Sequence, residues 1–268
     1  MKIGVFDSGL GGLSILSEIR RVLPQYDYLY LGDNARAPYG TRSFDVIYEY
    51  TLQAVRYLQA QGCRLIILGC NTASAKALRT IQQRDIDADQ LRVLGVIRPT
   101  VEAVSQLGHI GILATPGTVN SDSYAIELGK INPTIQVSQQ ACPMWVPLIE
   151  NGEKDSPAMA YFVDKYMQLL LEKDAKIETI LLGCTHYPLI KNQIIGWLHE
   201  HGKKCTILGQ GALVAESLKD YLTRHSEIEG LLTKGNTCTY LTTESISRFK
   251  DGARMFLGEE VEAQHVEI

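Results

Sequence analysis

The sequence predicts an α/β fold made of two similar parallel-sheet domains, derived from a duplicated unit, with a site at their interface. Three observations carry this expectation. Apolar, β-branched runs alternate with stretches of helical periodicity along the chain. Two of these runs end alike, Leu65-Ile66-Ile67-Leu68-Gly69-Cys70-Asn71-Thr72 and Thr179-Ile180-Leu181-Leu182-Gly183-Cys184-Thr185-His186. Finally, Ile3-Gly4-Val5-Phe6 before Asp7-Ser8-Gly9 is echoed by Ile110-Gly111-Ile112-Leu113 before Ala114-Thr115-Pro116-Gly117. The offsets are 107 for this pair and 114 for the cysteines, as expected of one unit copied with small insertions.

Taken in order, residues 3–6 read as a strand and 12–22 as a helix with Leu13, Leu16, Ile19 and Leu23 on one face. Residues 28–31 form a strand, 43–60 a helix opened by a serine cap, and 65–69 a buried strand. The polar stretch 82–90 loosens the pattern before a strand at 93–97. A second series follows: strand 109–114, helix 118–128, strand 135–139, helix 156–172, strand 180–183 and helix 188–199. Residues 205–208, 211–221, 238–241 and 244–257 continue as strand, helix, strand and helix. They are too few for a third domain, so the chain is expected to return to the first. The expected division is 1–95 plus 207–268, and 96–206.

Composition excludes several classes. Hydrophobic content of 45% and charged content of 21% are ordinary for a folded protein with a sizeable core. A formal charge of −4 offers no basic footprint for nucleic acid and no polybasic signal for a membrane. An acid at Asp7 interrupts any signal-peptide apolar region, and no apolar run approaches the roughly 20 residues that span a bilayer. Six cysteines without a regular framework point to free thiols in a reducing cytoplasm.

The loop Asp7-Ser8-Gly9-Leu10-Gly11-Gly12 sits where a dinucleotide fingerprint would, but the third glycine is replaced by Ser14. Asp7 would also face pyrophosphate unfavourably. A cradle for a smaller anion fits better, with Asp7 free for an ammonium or a proton.

Asp7-Ser8-Gly9-x-Gly11-Gly12, Gly32-Asp33-x-Ala35-Arg36-x-Pro38-Tyr39-Gly40, Gly69-Cys70-Asn71-Thr72-Ala73, Thr115-x-Gly117-Thr118, Trp145-Val146-Pro147-Leu148-Ile149-Glu150-x-Gly152 and Gly183-Cys184-Thr185-His186-Tyr187-Pro188 occur in that order. Together they resemble the glutamate racemases, over about the first 190 residues. The resemblance implies a cofactor-independent, two-base interconversion of L- and D-glutamate for peptidoglycan synthesis. It also implies that Ser8, Asn71, Thr72 and Thr185 contact substrate and that Tyr39-Gly40 holds the side-chain carboxylate. Cys70 would take the proton from D-glutamate and Cys184 from L-glutamate. A homodimer is compatible with the family, although no exposed apolar stripe marks a dimer face.

The chemistry supports these residue types. Racemisation needs a base on one face of the α-carbon and an acid on the other, and a thiol, at about 8.5 when free, is accessible in both forms. The carbanion-like state calls for positioned donors, for which Asn71, Thr72, Thr118 and Thr185 are available, with the backbone amides of Tyr39 and Gly40 as a second clamp. Asp7 would accept from the substrate ammonium or help Cys70 exchange its proton. His186, two residues past Cys184, would tune that thiol, with Glu150 orienting the imidazole.

Other readings compete. Cys70, Cys184 and His186 could hold zinc, but no close metal-ligand spacing supports this. A Cys–His hydrolase leaves one thiol idle, and a binding module leaves both idle. Pyridoxal phosphate is disfavoured by the resemblance alone, and aspartate racemases share the cysteine pair. Asp33 and Arg36 read as a structural pair, and Cys63, Cys142, Cys205 and Cys238 as ordinary thiols. Gln210 departs from the family pattern and touches no expected role.

Overall fold

A computed structural model describes all 268 residues. The first half contains β1 (Ile3–Asp7), α1 (Leu13–Val22), β2 (Tyr28–Gly32), α2 (Phe44–Ala60), β3 (Leu65–Leu68), α3 (Asn71–Lys76), α4 (Leu78–Arg84) and β4 (Arg92–Gly95). After α5 (Ile97–Val104) come β5 (His109–Ala114), α6 (Pro116–Asn120), α7 (Ser123–Ile131), β6 (Gln136–Ala141), α8 (Trp145–Glu150), α9 (Pro157–Lys173), β7 (Thr179–Gly183), α10 (Lys191–Glu200) and β8 (Thr206–Leu208). The chain ends with α11 (Gly211–Arg224), α12 (Ser226–Glu229), β9 (Cys238–Thr242), α13 (Ile246–Leu257) and β10 (Ala263–His265).

The strands form two sheets, in the orders β10-β9-β2-β1-β3-β4 and β6-β5-β7-β8, and every pairing is parallel. The run β2-β1-β3-β4 in the first sheet has the same order as the whole second sheet, so the duplication extends to topology. Register repeats too: Ile3 pairs with Leu65 in the first sheet, and Ile110 pairs with Thr179 in the second. The step from Leu65 to Cys70 is therefore the step from Thr179 to Cys184. The cysteines occupy equivalent places beyond equivalent strands.

Alternation along each strand builds two cores per sheet. Ile3, Val5, Tyr28, Tyr30, Leu65 and Ile67 pack with Leu13, Leu16 and Ile19 of α1, Leu218 of α11 and Phe249 of α13. Phe6, Leu29, Leu31, Ile66 and Leu68 face the other way, onto Ile47, Val55 and Leu58 of α2. In the second sheet, Leu113, Ile180 and Leu182 meet α8, α9 and α10, whereas Ile110, Ile112 and Leu181 meet α5 and α7.

The serine cap is as expected, with the Ser43 hydroxyl accepting from the Val46 amide. Three local features differ from expectation. The helix expected over 118–128 is two helices, because Asp122 sits at φ +52° and breaks the ladder, a conformation aspartate tolerates. The loosened stretch still holds α4 as far as Arg84, and α3, α5 and α8 were not expected at all; at six to eight residues they are too short for a periodic signal. Thr206–Leu208 pairs with β7, so the strand expected to begin the return belongs instead to the second sheet, where its Ile207 closes the core edge. The return is made by α11, which packs on α1, and by β9, which pairs with β2.

Because Ile112 lies fully buried at the centre of β5, Ile112→Ala is expected to cost about 2–5 kcal/mol of stability. Urea unfolding followed by circular dichroism measures this.

Candidate active site

Both sheets present their strand ends to one cleft. Its wall includes Ser8, Tyr39, Gly40, Cys70, Asn71 and Thr72 from the first half, and Thr115, Glu150, Cys184, Thr185 and His186 from the second. Cys70 leaves β3 and caps α3, its sulfur accepting from the Ala73 amide at 3.5 Å. Because β1 lies beside β3, the Ser8 hydroxyl reaches the same sulfur, at 3.3 Å. Cys184 leaves β7 and has different company. Its sulfur lies 3.9 Å from His186 Nδ1, and His186 Nε2 is 2.9 Å from Glu150 Oε1 at the end of α8. The edge of the Phe256 ring from α13 meets the imidazole, with centroids 5.4 Å apart.

Close contacts join the halves around these groups. A side chain at Gly11 would place its Cβ 2.2 Å from Thr185 Oγ1 and 2.5 Å from His186 Nδ1, so only glycine lets the first loop approach the end of β7. Ser14 Oγ donates to the Thr185 carbonyl at 2.9 Å, and the Gly117 amide donates to the Gly40 carbonyl at 2.7 Å. The backbone amides of Tyr39 and Gly40 make no hydrogen bond within the chain. Tyr39 is itself held by its hydroxyl, which donates to the buried Asp33 carboxylate. Arg36 pairs with the same group at 2.7 Å, as expected of a structural pair.

The electrostatics of the two thiols differ. Cys70 is pushed up to about 12, first by burial and then by the charge of Asp7, against the Ser8 hydroxyl and Ala73 amide. Burial likewise raises the Asp7 carboxyl, against His186 and the amides of Gly12 and Gly9. His186 is pushed up to about 10: burial pulls it down, but Cys184 and Glu150 outweigh that pull. A cation therefore stands beside Cys184, whereas the group near Cys70 is a carboxyl whose ionisation burial disfavours.

Ten of the twelve residues expected from sequence line the cleft, and two do not. Asp7 is fully buried beneath the glycine loop, where Oδ1 accepts from the Gly9 amide at 3.0 Å and Oδ2 has no partner in the chain. Thr118 is also fully buried, and its hydroxyl meets those of Thr115, at 3.1 Å, and Thr72, at 3.4 Å. Thr115 takes the wall position expected of Thr118, because it caps α6 and so sits at the strand end itself. Cys142, Pro143, Val146 and Pro147 also line the cleft. Cys142 directly follows β6, a strand-end signal weakened by the polar composition of that strand. Gln210 is not idle: it accepts from the Asn71 amide at 2.6 Å. Cys70, Cys184 and His186 do not gather into a group with metal-binding geometry.

A family model described as Asp/Glu/Hydantoin racemase matches residues 12–215. Over 274 residues the chain is 39% identical to the glutamate racemase of Ruegeria sp. (strain TM1040), covering 97% of this chain and 98% of that one. Among solved structures, the glutamate racemase of Francisella tularensis in complex with D-glutamate superposes with a TM-score of 0.89 at 32% identity, covering 99% of this chain and 97% of that one. The glutamate racemase isoform RacE1 of Bacillus anthracis gives 0.88 at 33% identity, covering 100% and 97%.

A raised His186 contributes stability that is complete below its ordinary 6.5 and is lost as pH rises through about 10, because the folded chain holds a proton that the unfolded chain has released. The raised Cys70 adds to the same alkaline loss at higher pH. Melting temperature is therefore expected to fall between about pH 7 and pH 10 in the native chain, and less steeply in His186→Asn, as measured by differential scanning calorimetry.

Proposed function

The chain belongs to the Asp/Glu/Hydantoin racemase family, and from that premise we propose that it interconverts L- and D-glutamate by passing a proton between two cysteines across the cleft. The observation that carries this reading is the pair of thiols beyond equivalent strands, turned to one cleft with different partners. A base and an acid on opposite faces of one carbon require such an arrangement.

Starting from D-glutamate, the Cys70 thiolate takes the α-proton and becomes a thiol. The electron pair left on the α-carbon spreads into the α-carboxylate. The Cys184 thiol then delivers its proton to the opposite face and becomes a thiolate, so atoms and charge balance. L-glutamate runs the same steps backwards. The groups beside each thiol suit these exchanges. Asp7, its carboxyl raised by burial, takes up the proton that Cys70 must lose before the next turnover. His186, held by Glu150, keeps a cation beside Cys184 and steadies its thiolate when the proton has gone.

For substrate binding, Asn71, Thr72 and Thr185 supply neutral donors to the α-carboxylate, where charge develops, and Ser8 lies beside Cys70. The unspent amides of Tyr39 and Gly40 hold the side-chain carboxylate. Thr118 acts behind the wall by fixing the hydroxyls of Thr72 and Thr115. D-glutamate so made supplies peptidoglycan, as in the family. No helix is long and apolar enough to cross a membrane. We place the enzyme in the cytoplasm, with no nucleic-acid partner.

Assays with both enantiomers of glutamate and aspartate in deuterium oxide test the reaction and its substrate. Glutamate is expected to turn over and to gain deuterium at the α-carbon; equal or better turnover of aspartate would overturn the choice of substrate. Cys70→Ala and Cys184→Ala are each expected to lose at least about 10²-fold in racemisation with circular dichroism unchanged. Full activity in either variant would refute the two-thiol mechanism.

A further inference from the structure

Asn71 sits next to Cys70 on the cleft wall, yet most of its side chain is committed elsewhere. Its amide nitrogen donates to Gln210 Oε1 at 2.6 Å, and its carbonyl oxygen accepts from the Tyr124 hydroxyl at 2.6 Å. Gln210 Nε2 donates to the same Tyr124 oxygen at 2.6 Å and to Thr100 Oγ1 at 3.0 Å. Asn71, Gln210 and Tyr124 thus close a ring of three hydrogen bonds. All three residues and Thr100 are buried.

Taken alone, the ring has two equivalent states, because turning over both amides and the hydroxyl reverses every bond and breaks none. Thr100 removes this degeneracy. Its hydroxyl proton is spent on the Val96 carbonyl at 2.7 Å, one helical turn back, so toward Gln210 it can only accept. Gln210 must therefore present its NH₂ to Thr100 and its carbonyl to Asn71. Asn71 in turn must present NH₂ to Gln210 and its carbonyl to Tyr124. One amide proton of Asn71 is left uncommitted. The reversed ring would exchange N–H for carbonyl on each side of the Asn71 amide, replacing attraction for a carboxylate with repulsion.

We propose that Thr100, Gln210 and Tyr124 are positioning residues that lock the Asn71 amide in one orientation and reserve one of its N–H groups for the substrate carboxylate. None of the three lines the cleft. The proposal rests on the reading that Asn71 contacts substrate, and it gives Gln210, an exception to the family pattern, a defined task. It also explains why so polar a group tolerates burial: every donor and acceptor that the ring uses is matched.

Steady-state kinetics on the full-length enzyme tests the proposal with glutamate in both directions, with folding checked by thermal melting. Thr100→Val keeps the side-chain shape but removes the acceptor, and is expected to raise KM for both enantiomers about twofold, because half of the rings would then stand reversed, with a much smaller change in kcat. Tyr124→Phe leaves the Thr100–Gln210–Asn71 direction intact and is expected to change KM less, and Thr100→Ser, which keeps the hydroxyl, is expected to restore the native KM. Combined with Asn71→Ala, Thr100→Val should add no further loss. The proposal is overturned if folded Thr100→Val keeps the native KM while Asn71→Ala raises it, or if the double variant is additive. If Asn71→Ala itself leaves KM unchanged, the parent reading of Asn71 as a substrate contact is what fails.

Discussion

Parallel pairing is the constraint on which this molecule depends. It sends the carboxyl ends of all strands in a sheet to one edge, where the chain leaves the hydrogen-bond ladder and side chains are released from the cores. Here two such edges face each other. Asp7, Cys70, Thr115 and Cys184 each lie at or just beyond the end of a central strand, so within each sheet their spacing is set by register rather than by loop conformation. The approach is close enough that Gly11 has no room for a Cβ.

Duplication supplied the symmetry of the thiols, and their surroundings removed it. Cys70 shares its pocket with a hydroxyl, an amide and a buried acid, and burial together with that acid raises the thiol against the pull of the other two. Cys184 stands beside an imidazole that is itself held by a carboxylate. The asymmetry has a simple origin, since His186 follows Cys184 by two residues whereas Thr72 holds the corresponding place after Cys70. That one difference between the copied strand ends gives an imidazole to Cys184 alone.

Much of this was legible beforehand, for physical reasons. Buried parallel strands are continuous apolar runs, and both Gly-Cys ends are such runs, so the two sheets and their central thiols stood out. The offsets between the copies reappear as sheet register. The short helices α3, α5 and α8 were hidden because one or two turns show no periodicity, and the break at Asp122 because a single left-handed residue has no pattern of its own. The strand at Thr206–Leu208 could not be assigned to a sheet, since three residues do not say which edge they will extend. Within the site, residue types were readable but depth was not: Asp7 and Thr118 lie behind the wall, and Thr115 lies on it. Gln210 was invisible as a participant because its partners are 86, 110 and 139 residues away.

The path of the chain has a mechanical consequence. It passes from the first half to the second around Val96, after β4, and back around Gln210, after β8. Two bodies tied at one point can tilt and twist freely, whereas two ties leave only swinging about the line through them. In this molecule the ties are adjacent, for Thr100 and Gln210 touch at 3.0 Å, so the line through them runs beside the buried polar ring. The Asn71 amide is bonded directly to Gln210 at one of these crossings, so it is anchored to both halves at the place where the chain itself joins them.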